Sequence, residues 1–366
     1  MNTLDPPTDR VDFFHLAQRG FERAERACGV TDVYLGLAGR VIRLRLAGLA
    51  LQSRVLPALA RQQVAATAAP ALTIQMWDDV STGTRLPVLL EIFLREVKAA
   101  HGDWLDARHA VRGFNDERVH TVFRLGPQAA DILSVFDAAQ ASAVYWTHDA
   151  TLLPYWECGS PLQTLLNWWA ESEGLQYVHA AAVGNEGGAV LLAGQGGSGK
   201  STAALACLDS DLAYLADDYC LVGLVPEPRV YSIYNTAKVV GHDDLARFPR
   251  LAATVVNPHR AATDKALLDL HPRGACRWLD AAPIRAVLAP IVTGQDCPQL
   301  LPMSRHEALQ ALAPSTLGQL AGAHQASFSR MVRLVSAVPC YRLRMGGDVT
   351  AIPPLLAGLL ATLSPV

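Results

Sequence analysis

At 366 residues and 39.3 kDa the chain has room for two or three domains, and with 51% hydrophobic against 18% charged residues it can bury enough apolar surface to exclude extensive disorder. Its 31 basic and 34 acidic side chains leave a net charge of -3, which supplies no global field for a polyanion, so nucleic acid is not an expected partner. Arg43 and Arg45 break the apolar residues 41–60, and Pro353 and Pro354 break the last apolar run, so neither reaches the roughly 20 residues of a bilayer span and no membrane partner is expected.

The cysteines (Cys28, Cys158, Cys207, Cys220, Cys276, Cys297, Cys340) are widely spaced with no CxxC pair, which reads as reduced core thiols. The first residues are polar, with Asp5, Asp9 and Asp12 ahead of any apolar run, the reverse of a secretory signal. Together these point to a cytoplasmic protein.

In chain order, residues 12–26 carry helical periodicity, residues 33–37 and 41–46 alternate as strands, and residues 49–56 read as a short helix ahead of Pro57. Further strands are expected at 72–77, 119–125 and 143–147, with polar connections such as 78–84 between them. This is an α+β pattern without a chemical motif. Ser160, Pro161 and Gln163 form a capping-box pattern with proline first in the helix, which predicts a helix from Pro161 to about Glu173. The aromatics Trp146, Tyr155, Trp156, Trp168 and Trp169 are expected to pack the seam between two halves, placing a domain boundary near residue 150: 1–150 as an α+β domain, 151–366 as the domain that carries the chemistry.

The run Gly194, Gln195, Gly196, Gly197, Ser198, Gly199, Lys200, Ser201 matches GxxxxGK[ST], in which backbone amides wrap phosphate oxygens, the lysine neutralises the outer phosphates and the hydroxyl binds Mg2+. Residues 189–193 read as a buried strand entering this loop, and a helix from Thr202 to 208 leaves it, its positive end toward the nucleotide. Upstream, residues 177–183 form an apolar strand and 184–188 a five-residue turn, so the two strands make an antiparallel hairpin. Pairing Val183 with Ala189 places His179 across from Ala193, beside the loop; a core histidine satisfied by a carbonyl is the plainer alternative.

Downstream, a strand at 212–216 ends in Asp217 and Asp218. A nine-residue helix spans about 13 Å and a five-residue strand about 16 Å, so the strand returns both carboxylates to the level of the phosphates. Neighbouring strand residues point to opposite sides, so one acid can orient Mg2+ while the other takes the proton of an attacking hydroxyl.

His179 with the alanines after it, the loop 194–201 and Leu215-Ala216-Asp217-Asp218 together resemble the catalytic core of the HPr kinase/phosphorylase family, in spacing as well as in residue type. The resemblance is close over residues 175–225 and loose through 340–345 and 351–360. It implies the α/β fold shared with phosphoenolpyruvate carboxykinase, a mixed sheet around a Walker A loop, here behind an α+β N-terminal domain. It also implies a kinase that uses ATP and Mg2+ to phosphorylate a serine on a protein or precursor peptide. By it Lys200 is the phosphate-neutralising lysine, Ser201 the Mg2+ hydroxyl, Asp218 the first choice of base, Asp217 the acid toward the metal, with the reverse order open, and His179 the histidine that works with the catalytic aspartate. Two departures stand out: residues 231–238 hold no counterpart of the family's metal-binding glutamate, and the loop associated with phosphorolysis is missing.

His259, Arg260 and Lys265 lie between Pro258 and the apolar residues 266–270, a loop able to clamp phosphate or simply to be solvated; Lys265 is the candidate nucleotide contact. A small-molecule kinase and an ATP-sensing regulator without transfer are the alternative functions, and the oligomeric state, a homo-oligomer included, is left open.

Overall fold

The computed structural model describes residues 10–99, 118–124, 131–240, 245–259, 264–271, 277–293, 297–320 and 325–363. The fold is α/β with mixed sheets, and the chain divides into two compact units, Met1–Ser172 and Glu173–Val366, each with its own sheet. The division falls after residue 172 and not near 150.

In the first unit, β1 (Val30–Leu37), β2 (Arg40–Ala47), β3 (Leu72–Asp78), β4 (Val119–Arg124), β5 (Ile132–Asp137) and β6 (Ser142–Thr147) form one sheet in the order β1-β2-β3-β6-β5-β4. The pairs β2/β3 and β3/β6 are parallel and the others antiparallel. Helix α1 (Arg10–Cys28) lays Phe13, Phe14 and Phe21 against Trp77, Phe123 and Trp146. Each of these three phenylalanines, buried in this way, is worth about 1.5–3 kcal/mol relative to exposure, which is why the helix docks here. The helices α2 (Leu49–Val55), α3 (Asp79–Thr82), α4 (Val88–Ala99), α5 (Tyr155–Gly159) and α6 (Gln163–Ser172) complete the unit.

Three local expectations are corrected. The 78–84 connection contains α3, capped by Asp78, whose carboxylate accepts from Ser81 N–H at 2.8 Å. The helix expected from Pro161 begins at Gln163: Leu162 is left-handed (φ 63°), its N–H is taken at 3.2 Å by the buried Glu157 carboxylate, and Ser160 is the C-cap of α5. All five aromatics of the expected seam fall within the first unit, where Trp168 of α6 stacks on His120 of β4 at 5.2 Å between ring centroids.

The second unit contains β7 (Gln176–Val178), β8 (Ala180–Asn185), β9 (Gly188–Ala193), α7 (Lys200–Ala206), β10 (Ala213–Ala216), β11 (Cys220–Gly223), β12 (Arg229–Tyr231), β13 (Thr236–Val239), β14 (Ala266–Asp269), β15 (Ala281–Val292), β16 (Gln299–Pro302) and β17 (Cys340–Met345). The main path is β10-β8-β9-β15-β12-β11-β7; β17 branches from β15 and carries β16, and β13 pairs β14 as a separate ladder. The long β15 runs parallel to β9 and β17 but antiparallel to β12.

Alternation along β9 builds two cores. Val190 and Leu192 join α7 and the helix Ile352–Leu363, whereas Leu191 and Ala193 join the helices Arg305–Leu317 and Gln325–Ala337. With both faces covered, β9 can be apolar at every position.

The hairpin is antiparallel as expected, but its register is shifted. Val183 pairs with Val190 and Ala180 with Ala193, because Asn185 still pairs with Gly188 and leaves a two-residue turn, with Asn185 Oδ1 accepting from Gly187 N–H at 2.9 Å. His179 therefore lies one residue past Ala193, at the level where the 194–201 loop begins. Among the described residues, no helix is long and apolar enough to cross a membrane.

Candidate active site

The loop from Gly194 to Gly199 joins β9 to α7, and Lys200 is the first helical residue. Glycine is required for contact at both ends. A Cβ on Gly194 would lie 2.5 Å from Ser198 Oγ, and one on Gly199, which has φ 103°, would lie 2.5 Å from Met345 Sδ. Gln195, Gly196 and Gly197 are exposed at the crown of the loop, and Thr202 follows Ser201 on the half-buried side of α7.

Lys200 is buried at 6% exposure, its Nζ donating to the Gly194 carbonyl at 2.7 Å and the Gln195 carbonyl at 3.2 Å. Burial lowers its pKa, Asp217 and Asp218 oppose that, and Lys265 adds to it. Lys265 thus lies within Coulombic range of Lys200, with its carbonyl held by Asn257 Nδ2 at 2.9 Å. His259 is exposed, and no described contact links it to the site; Arg260 lies outside the described residues.

His179 occupies the break between β7 and β8, where the chain leaves β11 to pair with β9 and β10. Its N–H, freed from both ladders, donates to Thr316 Oγ1 at 3.1 Å. Its Nε2 lies 3.0 Å from Asp218 Oδ1, and the Tyr219 ring packs over it at 5.0 Å.

Asp217 and Asp218 follow β10 directly and turn to different partners. Asp217 Oδ2 accepts from Lys238 N–H at 2.8 Å, whereas Asp218 Oδ2 accepts from Lys238 Nζ at 2.6 Å. Lys238, on β13, is only 6% exposed. Sequence reasoning did not single it out, although a signal existed: Lys238 is the one charged residue in the mostly uncharged residues 232–240 and has to be paired if that stretch is buried, since lysine is almost never buried alone.

The two acids titrate in opposite directions. Burial, then the neighbouring Asp218 charge, pushes Asp217 up to about 6 despite the Lys238 N–H and the Ser201 hydroxyl. Burial would also raise Asp218, but the Lys238 ammonium and the His179 hydrogen bond outweigh it and hold the carboxyl well below the usual range. Burial lowers the His179 pKa against the pull of Asp218. With Asp218 ionised, the shared proton resides on Nε2, and Nδ1 is buried without a hydrogen-bond partner among the described residues.

Asp217 Oδ1 is likewise buried without a hydrogen-bond partner, and the Ser201 hydroxyl faces the same carboxylate. A hydroxyl and one carboxylate oxygen are hard donors. They fit Mg2+, which keeps several waters and completes its shell from substrate phosphates. Among the described residues no group of three or more His, Cys, Asp or Glu side chains could cage a metal alone.

In ligand-free protein this acid is a burden. A carboxyl raised from 3.8 to about 6 on folding contributes full stability below pH 3.8 and loses it as pH rises through 6. Asp217→Asn, whose amide oxygen can still accept from Lys238 N–H, is therefore expected to stabilise the ligand-free protein by about 1–3 kcal/mol above pH 6. Urea unfolding at pH 4 and pH 8 with chelator present checks this: the gain should vanish at pH 4, and equal stabilities at pH 8 would contradict it.

Two comparisons found nothing: no family model and no curated protein matches the chain. Among solved structures, it is similar to the Hpr(Ser) kinase/phosphatase from Coxiella burnetii, with a TM-score of 0.29 and 9% identity, covering 51% of this chain and 97% of that one.

Proposed function

We propose that the protein is an ATP- and Mg2+-dependent kinase that transfers the γ-phosphate of ATP to a serine hydroxyl on a protein or peptide. One observation carries the reading: His179, Asp218 and Lys238 form a hydrogen-bonded chain within Coulombic range of Lys200, at the mouth of the 194–201 loop. A regulator that only sensed nucleotide would have no use for an oriented carboxylate there. The serine acceptor rests on the motif resemblance to HPr kinase/phosphorylase.

In this reading the amides of Gly194 to Ser201 and Thr202 cradle the phosphates, and Lys200 leaves its two carbonyls to neutralise the outer ones. Lys265 lends a further positive charge. Asp217 and Ser201 would hold Mg2+, which when bound neutralises charge on the phosphate oxygens. Asp218 accepts a hydrogen bond from the serine hydroxyl and orients it in line. As the Oγ–P bond forms and the bond from phosphorus to the ADP oxygen breaks, the hydroxyl proton passes to Asp218. The depressed pKa of Asp218 suits a loose transition state, in which the proton leaves late from an oxygen already acidified by bond formation. His179 holds Asp218 Oδ1 while Lys238 holds Oδ2.

The test is incubation with γ-labelled ATP, Mg2+ and serine-containing proteins and peptides, with identification of the labelled residue. Phosphoserine is the expected product. Label found only in inorganic phosphate or in a small hydroxylated metabolite would refute a protein or peptide kinase.

A further inference from the structure

Lysine is among the residues least often buried, and where it is buried its charge has to be met. Lys238 is met twice by the same acid pair, through different atoms. Its main-chain N–H binds Asp217 Oδ2 at 2.8 Å, and its Nζ binds Asp218 Oδ2 at 2.6 Å. The Tyr219 ring, 6.0 Å from Nζ, adds a cation–π contact on another side.

The consequence is a division of labour between the carboxylates. Asp217 binds Lys238 through Oδ2, and its Oδ1 is buried without a hydrogen-bond partner among the described residues. Each Asp218 oxygen already has a partner, Oδ1 meeting His179 Nε2 at 3.0 Å and Oδ2 the ammonium, which leaves a remaining lone pair for a hydroxyl but no oxygen clear of the ammonium and imidazole for a metal ion. Phosphoryl-transfer sites that use two metal ions set them about 3.5–4 Å apart, each held by carboxylate oxygens. An ion bridging from Asp217 to Asp218 would have to displace the ammonium or sit against it, and like charges at that range in a dry site repel strongly.

We propose that the Lys238 ammonium occupies the place of a second metal ion, so that the site takes a single divalent cation per bound nucleotide, on the Asp217 side. The built-in cation holds Asp218 ionised and oriented without having to be loaded from solution. This inference rests on the kinase reading, and its test separates the two.

Mn2+ binding to the parent protein is titrated by electron paramagnetic resonance, with a non-hydrolysable ATP analogue at saturation, alongside kinetics of Lys238→Ala. The expected stoichiometry is one Mn2+ per chain. Lys238→Ala is expected to lose about 100-fold in kcat with KM for ATP changed less than about threefold, the pattern of a group that acts beyond nucleotide binding. Excess free Mn2+ should restore part of that loss in the variant and leave the parent unchanged, a readout that mere misfolding would not produce. Two Mn2+ per parent chain, or parental kcat in Lys238→Ala, would overturn the inference and leave the kinase reading standing. Failure of the parent to bind the analogue would overturn both.

Discussion

Asp218→Asn is expected to reduce phosphate transfer by about 10³–10⁴-fold while ATP binds within about threefold of the parent. The amide is nearly the same shape and its oxygen can still accept one bond, but it cannot take a proton. It also removes the carboxylate charge 2.6 Å from the Lys238 ammonium, which is 6% exposed. Breaking a buried pair from one side costs about 3–5 kcal/mol, so the variant should unfold at lower denaturant as well as lose activity. Single-turnover transfer and equilibrium unfolding check the two parts separately. Transfer at the parental rate would remove Asp218 from the role of base, and unchanged stability would remove the ion pair from the fold.

Lys200→Ala is expected to weaken ATP binding by about 100-fold or more, since it deletes the one loop cation that can reach the outer phosphates. Its effect has a structural part. Nζ ties the Gly194 and Gln195 carbonyls at 2.7 and 3.2 Å, so without it the loop loses its own brace as well as its charge. Lys200→Arg should not restore binding, because a planar guanidinium does not fit the compact position of an ammonium. Calorimetric titration with ATP in the presence of Mg2+ decides: an affinity within threefold of the parent would mean the loop does not cradle phosphate. Under the proposed function the two variants should dissociate binding from transfer, Lys200→Ala affecting mainly the first and Asp218→Asn the second.

Much of this arrangement was legible because its signals are local. The strand at 188–193, the glycine-rich loop and the helix after it are neighbours in the chain, and the buried run, the turn residues and the helix start each leave their mark within about ten positions. The Asp217 and Asp218 pair was placed by counting rise per residue over a short helix and strand. The hairpin was legible in kind but not in register, because a two-residue turn at Glu186 and Gly187 and a five-residue turn over 184–188 use the same glycines. One step of register is enough to move His179 from beside Ala193 to the level of the loop.

Lys238 was not legible from these signals. It lies on β13, which among the described residues pairs only with β14, off the main sheet, and nothing near it in the chain indicates that its partners are the acids at the end of β10. The start of α6 escaped for a similar reason. A capping-box pattern at Ser160 and Gln163 lost to Glu157, whose buried carboxylate, also bonded to Tyr145, takes the Leu162 N–H. Chain-local chemistry, the amides, lysine and hydroxyl of one loop, was written in consecutive residues and determined by sequence alone. Which oxygen of each carboxylate is held, and by what, was decided only when β7, β8, β10 and β13 were folded against one another, since burial and ion pairing depend on residues far apart in the chain.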